Sequence, residues 1–315
     1  MNSIKTNVIV LYGGDGYERE VSLKSGTAVL EALSECNEYN VTPFIINDLC
    51  EIEKLKEINN AFVFIALHGS WGEDGRIQNK LELMNIPYSG SDSSSCLLAM
   101  DKSIAKEIFL HSGLRVPKGF VFCQNEDILD FSIHNAANYL GLPCVVKPCA
   151  RGSTVGVTII KDMQELSSAF EHAFKYENKV MLEEFIEGKE LTVTVFGNES
   201  PVSFPIIEII PKSGYYTYDN KYTPGATSYI CPAHLDEKIA STIKEEAIRA
   251  HISLGCKVYS RVDIILSKEN VPYVLEVNTV PGMTETSLVP KAAESANISF
   301  PKFLSNVIEL SYKKY

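Results

Sequence analysis

Residues 258–266 have the sequence VYSRVDIIL, and residues 272–278 have the sequence PYVLEVN. Both short apolar segments predict β-strands. Arg261 and Asp263 are separated by one residue, and so are Glu276 and Asn278, so the side chains of each pair point to one face of a strand. The alternate apolar residues point the other way, into a core. The two segments therefore predict polar side chains gathered in the middle of an apolar sheet.

Two acidic groups, an amide and an arginine in such a place need partners. Buried carboxylates are costly unless they are paired or bind a metal. Carboxylate and amide oxygens suit Mg²⁺, which completes its shell with water and nucleotide phosphates. The alternative is a solvated sheet face with a surface pair between Arg261 and Asp263. The spacing alone favours neither interpretation.

A second polar segment lies upstream, between predicted strands at residues 144–147 and 155–160. From Lys147 to Gly156 it has the sequence KPCARGSTVG. A lysine beside a loop of small residues offers backbone N–H groups and one cation to phosphates. The chain has no Walker motif, GxxxxGK[ST]. A glycine- and serine-rich hairpin with an isolated lysine is the alternative, and the spacing alone favours it.

The first hundred residues alternate between short apolar runs and helical stretches. Three runs predict the strands of a parallel sheet built from βαβ units: residues 8–12, 41–46 and 61–67. The clusters GGDGYEREVS (residues 13–22) and HGSWGEDG (residues 68–75) follow two of these strands. The first cluster fails the dinucleotide fingerprint GxGxxG because Arg19 occupies its last glycine position. Both clusters fall at carboxyl ends of strands, where open α/β sheets bind ligands.

Two further segments carry structural predictions. A helix is predicted over residues 95–112, ended by Gly113 and a proline beyond it. Residues 211–229 contain five tyrosines and have no clear period. Loops of this length inside compact domains are usually functional, so this segment predicts a lid.

Composition excludes several classes of protein. The chain has 315 residues and a net charge of −11 without a basic cluster, so nucleic-acid binding is not expected. No apolar run approaches the roughly 18 residues that a membrane-spanning helix needs, and residues 8–12 are too short for a signal-peptide core. The eight cysteines include no CxxC pair, which indicates reduced thiols in a cytoplasmic protein.

Taken together, these segments resemble the D-alanine–D-alanine ligase family, a member of the ATP-grasp superfamily. The resemblance extends from the first predicted strand to the C-terminal helix, and it rests on the order and joint presence of the motifs. They are GGDGYEREVSLKSG (13–26), HGSWGEDG (68–75), MDK (100–102), KPCARGSTVG (147–156), LEEFIEGKE (182–190), DNKY (219–222), GCKVYSRVD (255–263) and LEVNTVPGMTETSLVP (275–290).

The resemblance implies an α/β fold of the α+β ATP-grasp type. A Rossmann-like domain with a parallel sheet (residues 1–100) would bind substrate. Two α+β domains (residues 101–190 and 191–315) would clasp ATP, and the last would carry the metal site and a lid loop at residues 211–229. ATP is implied as a substrate, two Mg²⁺ ions as cofactors with Mn²⁺ as a substitute, and a homodimer as the assembly.

The resemblance also implies roles at the nucleotide. Lys102 and Lys147 would contact the phosphates. The base and the sugar would lie against one short segment, with Glu183, Phe185 and Ile186 around the adenine and Glu190 at the ribose. The metal ligands would be Asp263, Glu276 and Asn278, in agreement with the spacing described above.

The amino-acid substrates would be bound by a second group of residues. A hydrogen-bonded trio of Glu18, Ser153 and Tyr222 would connect the N-terminal domain, the loop of small residues within positions 147–156 (the small loop) and the lid. Glu18 would also bind the ammonium group of the first alanine, and His68 would lie near its carboxylate. The carboxylate of the second alanine would be bound by the Ser287 side chain, the Leu288 backbone and the nearby Lys221.

The implied reaction is ATP-dependent synthesis of D-alanyl-D-alanine for peptidoglycan precursors. The carboxylate of the first alanine attacks the γ-phosphate of ATP, while cations neutralise the phosphoryl group. The amine of the second alanine then attacks the acyl phosphate. Arg261 and the Gly282 N–H would stabilise the tetrahedral oxyanion, and the lid would exclude water.

Three other interpretations stay open: a D-alanyl-D-lactate ligase, a D-alanyl-D-serine ligase and a nucleotide-binding protein without catalysis. The pair Lys221 and Tyr222 resembles the dipeptide-forming branch, and every implied metal ligand and phosphate lysine is present. The chain departs from the family pattern at Trp71, which is bulkier than expected, and at Asp15-Gly16, where a Thr-Ser-like pair is more usual. These positions bear on the substrate pocket more than on the reaction class.

Overall fold

The computed structural model describes residues 5–58, 60–124, 130–212, 225–284 and 286–314. Within them the strands form three sheets, one parallel and two antiparallel, with helices packed against them. The predicted α/β fold class is confirmed.

The first sheet has three parallel strands: β1 (Thr6–Gly13), β2 (Tyr39–Ile46) and β3 (Ala61–Ile65). Their order is β2–β1–β3, and they correspond to the three predicted apolar runs. The helices of this part are α1 (Arg19–Ser34), a 3-10 helix (Leu49–Glu57), α2 (Arg76–Leu83) and α3 (Ser93–Met100). β3 is buried along its whole length, as is usual for a parallel strand covered on both faces.

The second sheet is antiparallel: β4 (Gly119–Cys123), β5 (Cys144–Pro148), β6 (Thr158–Ile160) and β7 (Lys179–Glu184). Its order is β4–β7–β5–β6. It is accompanied by α5 (Asp130–Leu140) and α6 (Leu166–Phe174). One face buries Val146 and Leu182 in an apolar core. Because side chains alternate along a strand, Lys147 and Glu183 share the opposite face.

The third sheet contains β8 (Gly188–Phe196), β9 (Val202–Ser203), β10 (Ile207–Pro211), β11 (Thr227–Ile230), β12 (Tyr259–Ser267) and β13 (Pro272–Asn278). Its order is β11–β10–β8–β12–β13, and β9 pairs with β8. The helices of this part are α7 (Glu237–Ser253), α8 (Leu288–Ser295) and α9 (Phe300–Tyr312).

The prediction of one helix over residues 95–112 was wrong. The chain forms α3 and then α4 (Lys102–His111), separated at Asp101, where the backbone is extended with φ −83° and ψ 100°. The Asp101 carboxylate accepts hydrogen bonds from the N–H groups of Ser103 (2.9 Å) and Ile104 (3.3 Å). Asp101 therefore caps a new helix, and Lys102 becomes the first residue of α4.

The predicted lid is described only at its ends. Residues 213–224, which include Lys221 and Tyr222, lie outside the described residues. The prediction of a loop was wrong at the ends themselves, because Pro211 pairs with Thr227 in the antiparallel ladder of β10 and β11.

The apolar cores join elements from distant parts of the chain. Ala105 and Phe109 of α4 are buried in the core of the third sheet, although α4 lies within the region assigned to the central domain. Phe303 of α9 is buried in the same core as Val8 and Val10 of β1. The C-terminal helix therefore packs with the first sheet.

Candidate active site

A cavity of about 400 Å³ lies where the loops after β1 and β3 meet one face of β12 and β13. Carboxyl ends of parallel strands are the expected location of a ligand site. Most residues assigned by the family resemblance line this cavity: Glu18, His68, Lys102, Ser153, Arg261, Asp263, Glu276, Asn278, Gly282, Ser287 and Leu288.

The polar residues of β12 and β13 share one face, as their spacing predicts. Asp263 lies opposite Glu276, and Arg261 lies opposite Asn278. Arg261 donates two hydrogen bonds to the Asp263 carboxylate, from Nε (2.9 Å) and Nη2 (2.8 Å). Thr192 Oγ1 donates a third at 2.6 Å. The Arg261 and Asp263 side chains are only 15% and 16% exposed, so the alternative of a solvated surface pair was wrong.

Lys102 connects three parts of the cavity. Its Nζ lies 3.2 Å from Glu276 Oε2 and donates to the Arg151 carbonyl at 2.8 Å. Burial, the largest single effect, lowers the pKa of Lys102, but the charge and hydrogen bond of Glu276 and other nearby acidic groups together outweigh burial and raise that pKa above its usual value. Lys102, in the first turn of α4, therefore stays positively charged beside the Glu276 carboxylate of β13.

The polar face of β12 and β13 fits a hard divalent cation. Asp263, Glu276 and Asn278 offer oxygen ligands, and Arg261 and Lys102 compensate the two carboxylates. In the described part of the chain, no group of three His, Cys, Asp or Glu side chains could hold a metal. The Asn278 amide and ligands from outside the protein would thus have to complete the shell. Asn278 Oδ1 accepts the Val280 N–H at 3.0 Å, which fixes the orientation of the amide.

A second cluster of charges lies where α4 meets the second sheet. Glu183 Oε1 is 2.5 Å from Lys147 Nζ, and Glu183 Oε2 is paired with Lys106 Nζ. All three side chains are at most 10% exposed. Burial alone would raise the pKa of Glu183, but the two lysines outweigh burial and lower it. Burial lowers the pKa of Lys106 to about 8.

Lys106 was not predicted from the sequence. A single lysine within a helix carries no motif, and the one available signal was its position four residues after Lys102, which places both on one side of α4.

Glu18 and Ser153 form the contact that the family resemblance implied between the N-terminal domain and the small loop. Ser153 Oγ donates a hydrogen bond to Glu18 Oε1. Ser153 and Thr154 have positive φ angles of 53° and 63°, which is uncommon for residues other than glycine. The third member of the predicted trio, Tyr222, lies outside the described residues.

The turn before β7 holds the small loop in place through contacts that were not predicted from the sequence. Glu177 Oε2 accepts the Ala150 N–H at 2.6 Å. The Tyr176 carbonyl accepts Arg151 Nε at 2.9 Å. No sequence pattern predicts this role of Glu177, because its partner is a backbone N–H group 27 residues away.

His68 is more constrained than the resemblance implied. Its Nδ1 lies 3.0 Å from the Val280 carbonyl, and its Nε2 lies 2.8 Å from Ser25 Oγ. A carbonyl only accepts, so Nδ1 carries the proton. Ser25 Oγ also accepts the Met283 N–H at 3.2 Å. His68 lines the cavity, but in this structure both of its ring nitrogens are engaged by protein groups.

The start of α8 also lines the cavity. Ser287 precedes this helix, and its Oγ accepts the Thr284 N–H at 3.0 Å. Gly282 lies against Ser287, since a Cβ at Gly282 would come within 2.9 Å of Ser287 Oγ. The first N–H groups of a helix favour anions, so Ser287 and Leu288 can receive a carboxylate.

The residues assigned to the adenine, the ribose and one phosphate contact lie outside the cavity lining. They occupy the end of β5, the end of β7, the following connection and the start of β8: Lys147, Glu183, Phe185, Ile186 and Glu190.

Two family models match the chain. The model of the D-ala D-ala ligase C-terminus matches residues 108–309, and that of the D-ala D-ala ligase N-terminus matches residues 48–91. A D-alanine–D-alanine ligase from Desulforamulus reducens is 43% identical over 310 residues, which cover 97% of this chain and 98% of the relative.

Solved structures are similar over the same length. A D-alanine–D-alanine ligase from Bacillus anthracis complexed with ATP has a TM-score of 0.83 at 34% identity, with 98% of each chain covered. The VanG D-Ala:D-Ser ligase from Enterococcus faecalis has a TM-score of 0.85 at 30% identity, with 98% of this chain and 100% of that chain covered.

The fold, the residues that line the cavity and the similar proteins all indicate one class of protein: an ATP-dependent ligase with an ATP-grasp fold. The chain belongs to the D-alanine–D-alanine ligase family. Among the described residues, no helix is both long enough and apolar enough to cross a membrane.

Proposed function

We propose that the protein joins two D-alanine molecules, with hydrolysis of ATP to ADP and phosphate, to form D-alanyl-D-alanine for peptidoglycan precursors. The observation that carries this proposal is the meeting of four charged side chains in one cavity that the start of α8 also lines: Arg261, Asp263, Glu276 and Lys102. An amide-forming ligase needs a charged region that neutralises phosphate, here the four side chains, beside a region that binds a carboxylate, here the start of α8.

Activation of the first alanine requires its carboxylate oxygen to reach the γ-phosphate of ATP. Lys102 and Lys147 would contact the phosphates, and Glu18 would bind the alanine's ammonium group. Mg²⁺, when bound, neutralises phosphate charge and aligns the transfer. Asp263, Glu276 and Asn278 would hold that cation, as their oxygen donors support.

Formation of the peptide bond requires the second alanine to enter with its amine facing the acyl phosphate. Ser287 and the Leu288 N–H would bind its carboxylate, with Lys221 nearby. Arg261 and the Gly282 N–H would stabilise the oxyanion of the tetrahedral intermediate. Tyr222 would close the site by bonding toward Ser153. We further propose a cytoplasmic homodimer as the functional form.

A D-alanyl-D-serine ligase is the second candidate. The likeness to the VanG D-Ala:D-Ser ligase over 98% of this chain favours keeping it. The two products differ by one hydroxyl group of the second substrate, so the substrate test must separate them.

The test is ADP release with ATP and Mg²⁺, in separate reactions with D-alanine, L-alanine, D-alanine plus D-serine, and D-alanine plus D-lactate. Products are identified by mass. We expect release with D-alanine alone, one dipeptide per ADP, and little with L-alanine. Absence of dipeptide would contradict the proposal, and preferential formation of the mixed serine product would establish the second candidate.

A further inference from the structure

In this structure the Lys147 ammonium is paired with Glu183, and Lys147 is not among the residues that line the cavity. Its Nζ lies 2.5 Å from Glu183 Oε1, and both side chains are almost fully buried. An ammonium that turns from this carboxylate toward a nucleotide gives up part or all of the salt bridge. The Glu183 carboxylate then needs another cation to compensate its charge.

A buried carboxylate that loses its cation is strongly destabilised, because the low-dielectric surroundings cannot replace the lost charge. Here the carboxylate has a second cation, since Lys106 Nζ is paired with Glu183 Oε2. Two lysines therefore share one carboxylate, which leaves the cluster with one positive charge in excess. That excess charge is the one available to a phosphate.

The two lysines are held by different parts of the fold. Lys147 lies at the end of β5, just before the small loop. Lys106 lies in α4, whose neighbouring residues Ala105 and Phe109 are buried in the core of the third sheet. Lys106 Nζ also lies 3.4 Å from the Pro117 carbonyl. Lys106 can therefore stay on Glu183 while Lys147 moves.

We propose that Lys106 is a positioning residue that keeps Glu183 paired, so that Lys147 can exchange from Glu183 to the phosphates of the nucleotide. The inference rests on the proposed ATP-dependent function. Without Lys106, the neutral pair of Lys147 and Glu183 would persist, and nucleotide would have to break it at the cost of an unpaired buried carboxylate.

The test is Lys106→Met, which replaces the ammonium by an apolar side chain of similar length. We expect the dissociation constant of a non-hydrolysable ATP analogue with Mg²⁺ to rise about tenfold or more, since a charge-assisted contact must be lost on binding. The ligand-free variant should unfold at the same denaturant concentration as the wild type or higher, because a neutral buried pair replaces an excess charge. Lys106→Arg keeps the cation and should restore most of the affinity.

Lys175→Met is the matched control, since Lys175 is exposed at the end of α6, and we expect its affinity to be unchanged. Two results would overturn the inference: unchanged analogue affinity in Lys106→Met, or loss of ligand-free stability without any loss of affinity. A wild-type protein that fails to bind the analogue or to release ADP would instead contradict the proposed function, so the two failures are distinguishable.

Discussion

At the scale of single residues, Arg261 has two roles, and an experiment has to distinguish them. Its guanidinium orients Asp263 through two hydrogen bonds, and it is also the proposed donor to the oxyanion. Asp263 keeps a third hydrogen bond, from Thr192, so the carboxylate is not left without a donor when Arg261 is removed.

Arg261→Met should therefore lower the turnover rate on the order of a hundredfold or more, as loss of one oxyanion donor typically does. The affinity for the ATP analogue should change far less. Steady-state ADP release and analogue titration measure the two effects, with the exposed Arg249→Met as the control. Affinity and rate that fall in parallel would show that Arg261 binds phosphate instead.

His251 makes a residue-scale prediction about stability. It is fully buried with its Nδ1 2.7 Å from Ser260 Oγ, and burial lowers its pKa to about 4. Between that value and the ordinary pKa of about 6.5, the unfolded chain binds a proton that the folded protein excludes. The free energy of unfolding should therefore fall as pH drops through this window.

Below pH 4 the free energy of unfolding should be about 3 kcal/mol lower because of His251, since each pKa unit corresponds to about 1.4 kcal/mol. His251→Asn keeps a polar atom near Ser260 and removes the titration, so its stability should depend less on pH. Urea unfolding at several pH values measures the slope. The exposed His111→Asn should keep the wild-type slope, and an equal slope in His251→Asn would refute the assignment.

At the scale of elements, the turn before β7 acts on the small loop. Glu177 accepts the Ala150 N–H, and the same loop supplies the Ser153 hydroxyl to Glu18. Loops that bind ligands are commonly positioned by a rigid scaffold. In this protein the scaffold includes a side chain from a neighbouring turn.

Glu177→Ala should raise the KM for ATP, roughly three- to tenfold for the loss of one hydrogen bond to a carboxylate. Glu177→Gln retains an acceptor and should stay near the wild type. The exposed Glu171→Ala of α6 is the control. If both Glu177 variants match the wild type in KM and kcat, the loop does not depend on this bond.

At the scale of the whole molecule, one apolar core joins the beginning and the end of the chain. Phe303 of α9 is buried against Phe196, Phe204 and Tyr259, with ring centroids 5.6 to 6.2 Å apart. The same core contains Val8 of β1. The cavity forms where these parts meet, so its geometry depends on the packing of distant segments.

Phe303→Ala should destabilise the protein by about 3–5 kcal/mol, the usual result of removing a buried aromatic ring. Phe120→Ala, at a ring that is 39% exposed, should cost far less. Urea unfolding measures both. Because the core is shared, probes in the N-terminal and C-terminal parts should report the same shift for Phe303→Ala, and separate shifts would contradict a shared core.

The sequence by itself determined the elements whose cause is local. Alternation along residues 258–266 and 272–278 placed Arg261 and Asp263 on one strand face, because side chains alternate with a period of two. The apolar runs of the first hundred residues predicted the parallel strands for a different reason, because a strand covered on both faces buries the side chains of both faces. Motif order was sufficient to indicate the family, which the comparisons then established.

Tertiary structure decided everything that depends on contacts between distant residues. The pairing of Glu183 with Lys106, the bond from Ala150 to Glu177 and the engagement of both His68 nitrogens join positions far apart in the chain. The break before Lys102 is a local feature that the helix prediction missed, because Asp101 caps N–H groups only two and three residues away. The periodic pattern of apolar residues predicts which face of an element is buried. It does not predict a pair of charges whose two groups are far apart in the chain, because that pair forms only when the elements pack together.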